Sequence, residues 1–188
     1  MRRLIVSEFV SLDGVMEAPG GEPGYPHTGW VIPTVGPEFM QYKAKETLDA
    51  ESLLIGRITY ESFAGSWPAR DGPFADKMNT MRKDVVSTTL KDPEWDNSHV
   101  ISADAPAAIA ALKAGDGGPI LVAGSGTLVR TLMEHDLVDE YRLMVVPVVL
   151  GSGRKLFPDS PRTWPLKLIS SQAFSTGSVV NHFEPVRA

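Results

Sequence analysis

Apolar residues along this chain fall into short runs separated by segments of helical spacing. Leu4–Val10, Ser52–Ile55, Lys83–Thr89, His99–Ser102, the run opening at Pro119, and Glu140–Val149 are rich in Val, Ile and Leu and read as strands. Between them, Pro37–Ala50, the segment opening at Gly56, Pro73–Met81, Ala105–Ala114 and Thr127–His135 have helical composition, with Pro37 at a first-turn position and Asp104 placed as a cap. Strand and helix alternate as far as Val149, which predicts a largely parallel sheet with helices on both faces. Leu166–Ser175 and Ser178–Pro185 then flank Thr176-Gly177, a hairpin signal that adds antiparallel strands at the C-terminal end. Pro147 is ill suited to a central strand and predicts an edge, a bulge or the strand's end.

Composition narrows the class. The 188 residues, 43% of them hydrophobic, suffice for one core, so residues 1–188 are read as a single domain. A net charge of −5 speaks against a nucleic-acid partner, so any anion must be captured by local groups. There is no cysteine for a disulfide, a thiol nucleophile or a thiolate-bound zinc, and the four histidines stand at no metal-ligand spacing, so no metal site is expected. The basic, apolar start is interrupted by Ser7, Glu8 and Asp13 before a signal-peptide core can form, and no apolar run approaches the roughly 20 residues of a membrane span. A cytoplasmic location is the default expectation.

Candidate chemistry sits where strands end. In Leu121-Val-Ala-Gly-Ser-Gly-Thr-Leu128 an apolar run passes through Gly124 and Gly126 into a helix. Such a turn lets backbone amides reach an anion, with the Ser125 and Thr127 hydroxyls beside them; equally, the glycines turn the chain and a hydroxyl caps the helix. Gly56-Arg57-Ile58-Thr59 repeats the strand-glycine-helix junction and adds a planar cation and a hydroxyl, and Ser87 and Thr88 place hydroxyls at a third strand end. Asp13 follows the first strand, either as a polar group facing a substrate or as an ordinary Asp-Gly turn. The Gly- and Pro-rich stretch from Glu17 to Pro37 reads as a long loop in which Trp30 either covers a ligand or pins the loop to the core. Glu38 either favours a helix dipole or faces a pocket as an acid, and Gly151–Lys155 is a locally basic turn, open to a substrate phosphate or simply solvated. A standard Rossmann fingerprint is absent, because Val129 stands where the third glycine belongs, and no Gly-Lys-Ser/Thr occurs to make a Walker loop.

Leu53-Leu-Ile-Gly-Arg-Ile-Thr-Tyr-Glu-Ser-Phe63, Val85-Val-Ser-Thr-Thr89 and the turn at 121–128 together resemble the dihydrofolate-reductase-like fold, a three-layer αβα arrangement. Ser11-Leu-Asp-Gly14 and Pro147-Val-Val-Leu-Gly-Ser-Gly153 bring the resemblance closer to the reductase domain of bacterial riboflavin biosynthesis and its stand-alone relatives, over essentially the whole chain. The resemblance implies NADPH-dependent hydride transfer to a phosphoribosylamino-pyrimidine or a related pterin-like acceptor. It assigns cofactor phosphates to Gly56, Arg57 and Thr59, the adenosine 2′-phosphate region to Ser87 and Thr88, and the pyrophosphate and nicotinamide side to Gly124, Ser125, Gly126, Thr127 and Leu128. On the acceptor side the candidates are Ser11, Gly14, Trp30, Tyr60, Pro147, Gly151 and Gly153, and the candidate catalytic acids are Asp13, as a polar group near the acceptor, and Glu38, the nearest substitute for an acid that folate reductases carry after their Trp-x-x-Pro segment. Relatives of this type usually pair, so a homodimer is expected. Two departures stand out: Trp30-Val31-Ile32-Pro33 is followed by Thr34 and Val35 rather than by the acid that folate reductases carry, and no cysteines are present to build a fused zinc deaminase. Folate reduction, or a dimer that binds NADPH without turnover, are the alternatives.

Overall fold

The computed structural model describes residues 1–157 and 159–187. Eight strands form one sheet in the order β4-β3-β2-β5-β1-β6-β8-β7. In chain order the strands are β1 (Leu4–Ser11), β2 (Ser52–Gly56), β3 (Arg82–Val86), β4 (Ser98–Ile101), β5 (Ile120–Val122), β6 (Glu140–Val146), β7 (Leu166–Ala173) and β8 (Val179–Pro185). The first six in sequence are mutually parallel, and β8 returns antiparallel to β6 with β7 at the outer edge. Five helices cover the sheet: α1 (Pro37–Asp49), α2 (Arg57–Ala64), α3 (Pro73–Thr80), α4 (Ala105–Ala114) and α5 (Gly126–Glu134). No helix among the described residues is long and apolar enough to cross a membrane.

The central strands β1, β2 and β5 are buried on both sides, as their near-continuous apolar runs require, while the edge strand β7 is exposed. Because successive strand residues point to opposite faces, Leu4, Val6, Leu54, Ile120 and Val122 enter one core with α4 and α5, while Ile5, Leu53, Ile55 and Leu121 enter another beside Tyr60 of α2 and Met78 of α3. A third cluster packs Phe39 of α1 against Met144, Val146 and Val180. This is the three-layer, mostly parallel architecture expected from the sequence.

Element ends differ from expectation where side chains other than apolar ones decide them. The third strand stops at Val86 rather than Thr89, because the Ser87 hydroxyl accepts the amides of Thr89 and Leu90 and turns the chain out of the sheet. The sixth strand stops at Val146 rather than Val149: Pro147 has no N–H to continue the ladder, so of the three outcomes open to it the strand's end is the one realised. The closing hairpin carries an irregularity between Leu168 and Ser170. Asp104 caps α4 as expected, its carboxylate accepting the Ala107 amide at 3.3 Å.

Candidate functional site

The carboxyl ends of β2, β3, β4 and β5 converge on a groove of about 450 Å³. Gly56 and Arg57 come from the β2–α2 junction, Ser87, Thr88 and Thr89 from the turn after β3, and Ser125, Thr127 and Leu128 from the start of α5. Ser102 to Ala105, after β4, form the far wall. Seven of the ten positions assigned to the cofactor therefore line one cleft. The other three, Thr59, Gly124 and Gly126, stand behind it and shape it.

Two strand-glycine-helix junctions interlock to make the floor. The Gly56 amide donates to the Gly124 carbonyl at 3.3 Å. A Cβ on Gly56 would lie 2.5 Å from the Ser125 hydroxyl oxygen, and one on Gly124 would lie 2.8 Å from that of Thr59. Gly124 also has φ of +82°, a conformation that side chains disfavour, and the Gly124–Ser125 peptide is cis. Gly126 is equally confined, with the Met16 sulfur 2.8 Å from where its Cβ would be. Neither α2 nor α5 has a side-chain cap at its N-terminus, so the first-turn amides of both helices lack an internal acceptor where they meet the groove. With Arg57 at the rim, ion-paired to Glu61 at 2.8 Å, these amides make a concave donor surface suited to phosphate oxygens. Ser87 uses its oxygen in its own turn, whereas Thr88 is exposed beside it.

Under the floor lies an acid that the strand pattern did not single out. Glu8, in the middle of β1, accepts the Gly124 amide on Oε1 at 2.6 Å. Burial pushes its carboxyl up to about 8, against the lowering effect of that amide. The sequence signal was present: a single carboxylate inside the run Leu-Ile-Val-Ser-Glu-Phe-Val, flanked by residues that must be buried in a central strand.

On the other side of β5, the loops after β1 and β6 are laced together. The Leu12 amide donates to Val148 O at 2.8 Å, the Leu156 amide to Gly14 O at 3.0 Å, and Val15 pairs with Lys155 in an isolated antiparallel bridge. Asp13 ties the knot: Oδ1 accepts the Ser11 hydroxyl at 2.6 Å and the Leu150 amide at 3.1 Å, and Oδ2 accepts the Gly151 amide at 2.7 Å. The Ser11 hydroxyl, then the two amides, hold its carboxyl well below the usual range, to about 2. Gly153 carries φ of +110° beneath the Tyr25 hydroxyl, which donates to Ser152 O at 2.6 Å. Ser11, Asp13, Gly14, Gly151 and Gly153 thus come together, with Pro147 at the start of the same loop. Trp30 is 7% exposed and its indole donates to Glu17 O at 2.7 Å, so of its two readings the structure favours the pin for the long loop.

Two expected site residues stand elsewhere. Tyr60 is buried against Trp95, whose backbone amide its hydroxyl accepts at 2.9 Å, because the aromatic cluster under α2 claims the ring. Glu38 does not face a pocket as an acid: its carboxylate accepts both the amide and the hydroxyl of Ser175 in the β7–β8 connection, at 2.7 and 2.6 Å, which hold it below the usual carboxylate range.

This arrangement agrees with what the chain resembles. The sequence model of the RibD C-terminal domain matches residues 2–180. Two Bacillus subtilis (strain 168) proteins are similar over most of their length: YyaP, 30% identical over 95% of this chain and 92% of its own, and YwjB, 31% identical over 92% of each. Among solved structures, a protein from Shewanella sp. PV-4 named for riboflavin biosynthesis superposes with a TM-score of 0.71 at 20% identity, covering 98% of this chain and 99% of that one. A pyrimidine reductase-like protein from Corynebacterium diphtheriae superposes with a TM-score of 0.71 at 13% identity, covering 99% and 92%. Interlocked glycine junctions, a groove across four strand ends and a match over nearly the full length lead to one assignment: the chain belongs to the RibD C-terminal domain family.

Proposed function

We propose that the groove binds NADPH and that the protein is a reductase acting on a carbonyl or imine of a phosphoribosylamino-pyrimidine or a related heterocycle. The observation that carries this reading is the meeting of two uncapped helix N-termini, Arg57 and the glycine floor in one cleft at the carboxyl edge of a parallel sheet. The residues present fit a dinucleotide: glycines at 56 and 124 let the two junctions pack closely enough to bring both helix N-termini to one cleft, and the donors there are hydroxyls, amides and one guanidinium. Arg57 and the first turns of α2 and α5 would hold the phosphates, and Thr88 with its neighbours the adenosine ribose and its 2′-phosphate. When bound, the cofactor supplies the hydride. The chain's own work is to orient the acceptor and limit water. Asp13, with both oxygens engaged and its proton gone at neutral pH, holds the loop at 148–154 as a wall rather than delivering a proton.

The test is a titration with NADPH, NADH and NADP⁺ followed by nicotinamide fluorescence, then an acceptor screen that begins with phosphoribosylamino-pyrimidines and dihydrofolate. Tight NADPH binding with acceptor-dependent oxidation supports the reading, and no nicotinamide binding overturns it. A second reading, binding without turnover, draws on the engagement of both candidate acids, Asp13 and Glu38, in internal hydrogen bonds; it predicts NADPH binding with no oxidation by any acceptor. Leu168 and Ile169 are exposed on the edge strand β7, which supports a homodimer as the working form. Sizing at low micromolar concentration that shows only a 20.4 kDa species would remove the dimer.

A further inference from the structure

Glu8 occupies a position in β1 where a charge has almost nothing to balance it. Its register partner in β6 is the uncharged Leu143, and the turn after β5 reaches it through the Gly124 amide. α5 has no acidic residue in its first turn. Among the described residues the charged groups that reach Glu8 are Lys43 and Glu46 of α1, which act in opposite directions and are ion-paired to each other, with the Ser7 hydroxyl bonded to Glu46. Among the described residues the Gly124 amide is its one hydrogen-bond partner, at 2.6 Å. The α5 N-terminus favours a negative charge nearby, but burial outweighs it.

The amide that Glu8 holds belongs to the turn on which the proposed phosphate site is built. We propose that Glu8 is a positioning residue for that turn: neutral, it fixes the Gly124 amide, and ionised, it sets a negative charge behind the amides that receive the dinucleotide phosphates. The inference rests on the NADPH reading above. Its consequence is proton linkage. An anion bound over the turn makes Glu8 harder to ionise, so binding takes up a proton once the free protein has lost it. Affinity is then level below about pH 8 and falls above it, by up to about tenfold per pH unit, until the bound form also ionises.

The experiment is a set of NADPH titrations from pH 6 to 10 on the wild-type protein and on Glu8→Gln, which keeps a carbonyl acceptor for the Gly124 amide and cannot ionise. Expected are a falling affinity above about pH 8 in the wild type and a level profile in Glu8→Gln, with affinities within about threefold of each other at pH 7. The unmodified protein supplies a second readout, the infrared carbonyl band of a protonated carboxyl, present at pH 7 and displaced to higher pH in its loss when NADPH is added. A level wild-type profile, the same slope in Glu8→Gln, or no protonated-carboxyl band at pH 7 overturns the proposal while leaving the NADPH site standing. No NADPH binding at any pH removes both.

Discussion

The two halves of the carboxyl edge use their polar groups in opposite ways. Around β2 to β5, helix amides at two N-termini and the Thr88 hydroxyl face the groove without internal partners. Around β1 and β6, polar groups of comparable chemistry are consumed by one another, with Asp13 alone accepting three hydrogen bonds. Both regions carry glycines, hydroxyls and charges, and a census of residue types does not separate them. What separates them is whether the donors are spent: an unspent set is ready for a ligand, and a spent set is a wall.

Substitutions on the groove side should therefore change binding, and those on the laced side should change loop order. The largest effect is expected from Gly124→Ala, which combines a disfavoured φ, costing about 1–2 kcal/mol, with a collision at Thr59. NADPH affinity should fall at least about 100-fold, by fluorescence titration, with a lower Tm. Arg57→Ala removes the groove's cation and should weaken NADPH by roughly 10- to 30-fold at low salt, and less at high salt, as expected for one charged hydrogen-bonding contact. Stability should respond to Glu8 through pH. Its folded-state value near 8 lies above the ordinary 4.5, so the native state holds a proton that the unfolded chain releases, and stability declines as pH rises across that window. The slope approaches about 1.4 kcal/mol per pH unit, and denaturant midpoints of Glu8→Gln should not show it. Thr88→Ala should cost about threefold in NADPH affinity, as the loss of one hydroxyl contact, with a smaller loss for NADH, which lacks the 2′-phosphate. Asp13→Asn is the contrasting case: NADPH binding unchanged, with faster hydrogen exchange at the Leu150 and Gly151 amides. An Asp13 variant that abolished NADPH binding would erase the distinction between the two halves.

Much of the groove was legible in the chain because strand-glycine-helix junctions are local. Gly56-Arg57 and Gly124-Ser-Gly126 announce themselves within a few residues, and parallel topology carries them to the same edge. The laced side was less legible, since Asp13 and its acceptors at 150 and 151 are separated by more than half the chain and no local pattern pairs them. Glu38 fell to the same difficulty, its partner being Ser175. At the Ser87–Thr89 end the strand-favouring threonines obscure the decisive residue, a serine whose hydroxyl accepts two amides beyond itself. Glu8 was visible as an interruption in an apolar run, but its meaning depends on the amide that a neighbouring strand presents.

The sheet order also bears on how the molecule is made. β1, the earliest of the eight strands, lies between β5 and β6, so its two partners leave the ribosome more than a hundred residues after it does. During that interval a strand apolar on both faces and unpaired on both edges must be kept from other nascent chains. β2 and β3 can pair meanwhile, but they cannot reach β1 without β5. Completion of the sheet should therefore wait until β6 has been made, and chains interrupted before β6 should be bound by chaperones or aggregate rather than survive as partial domains.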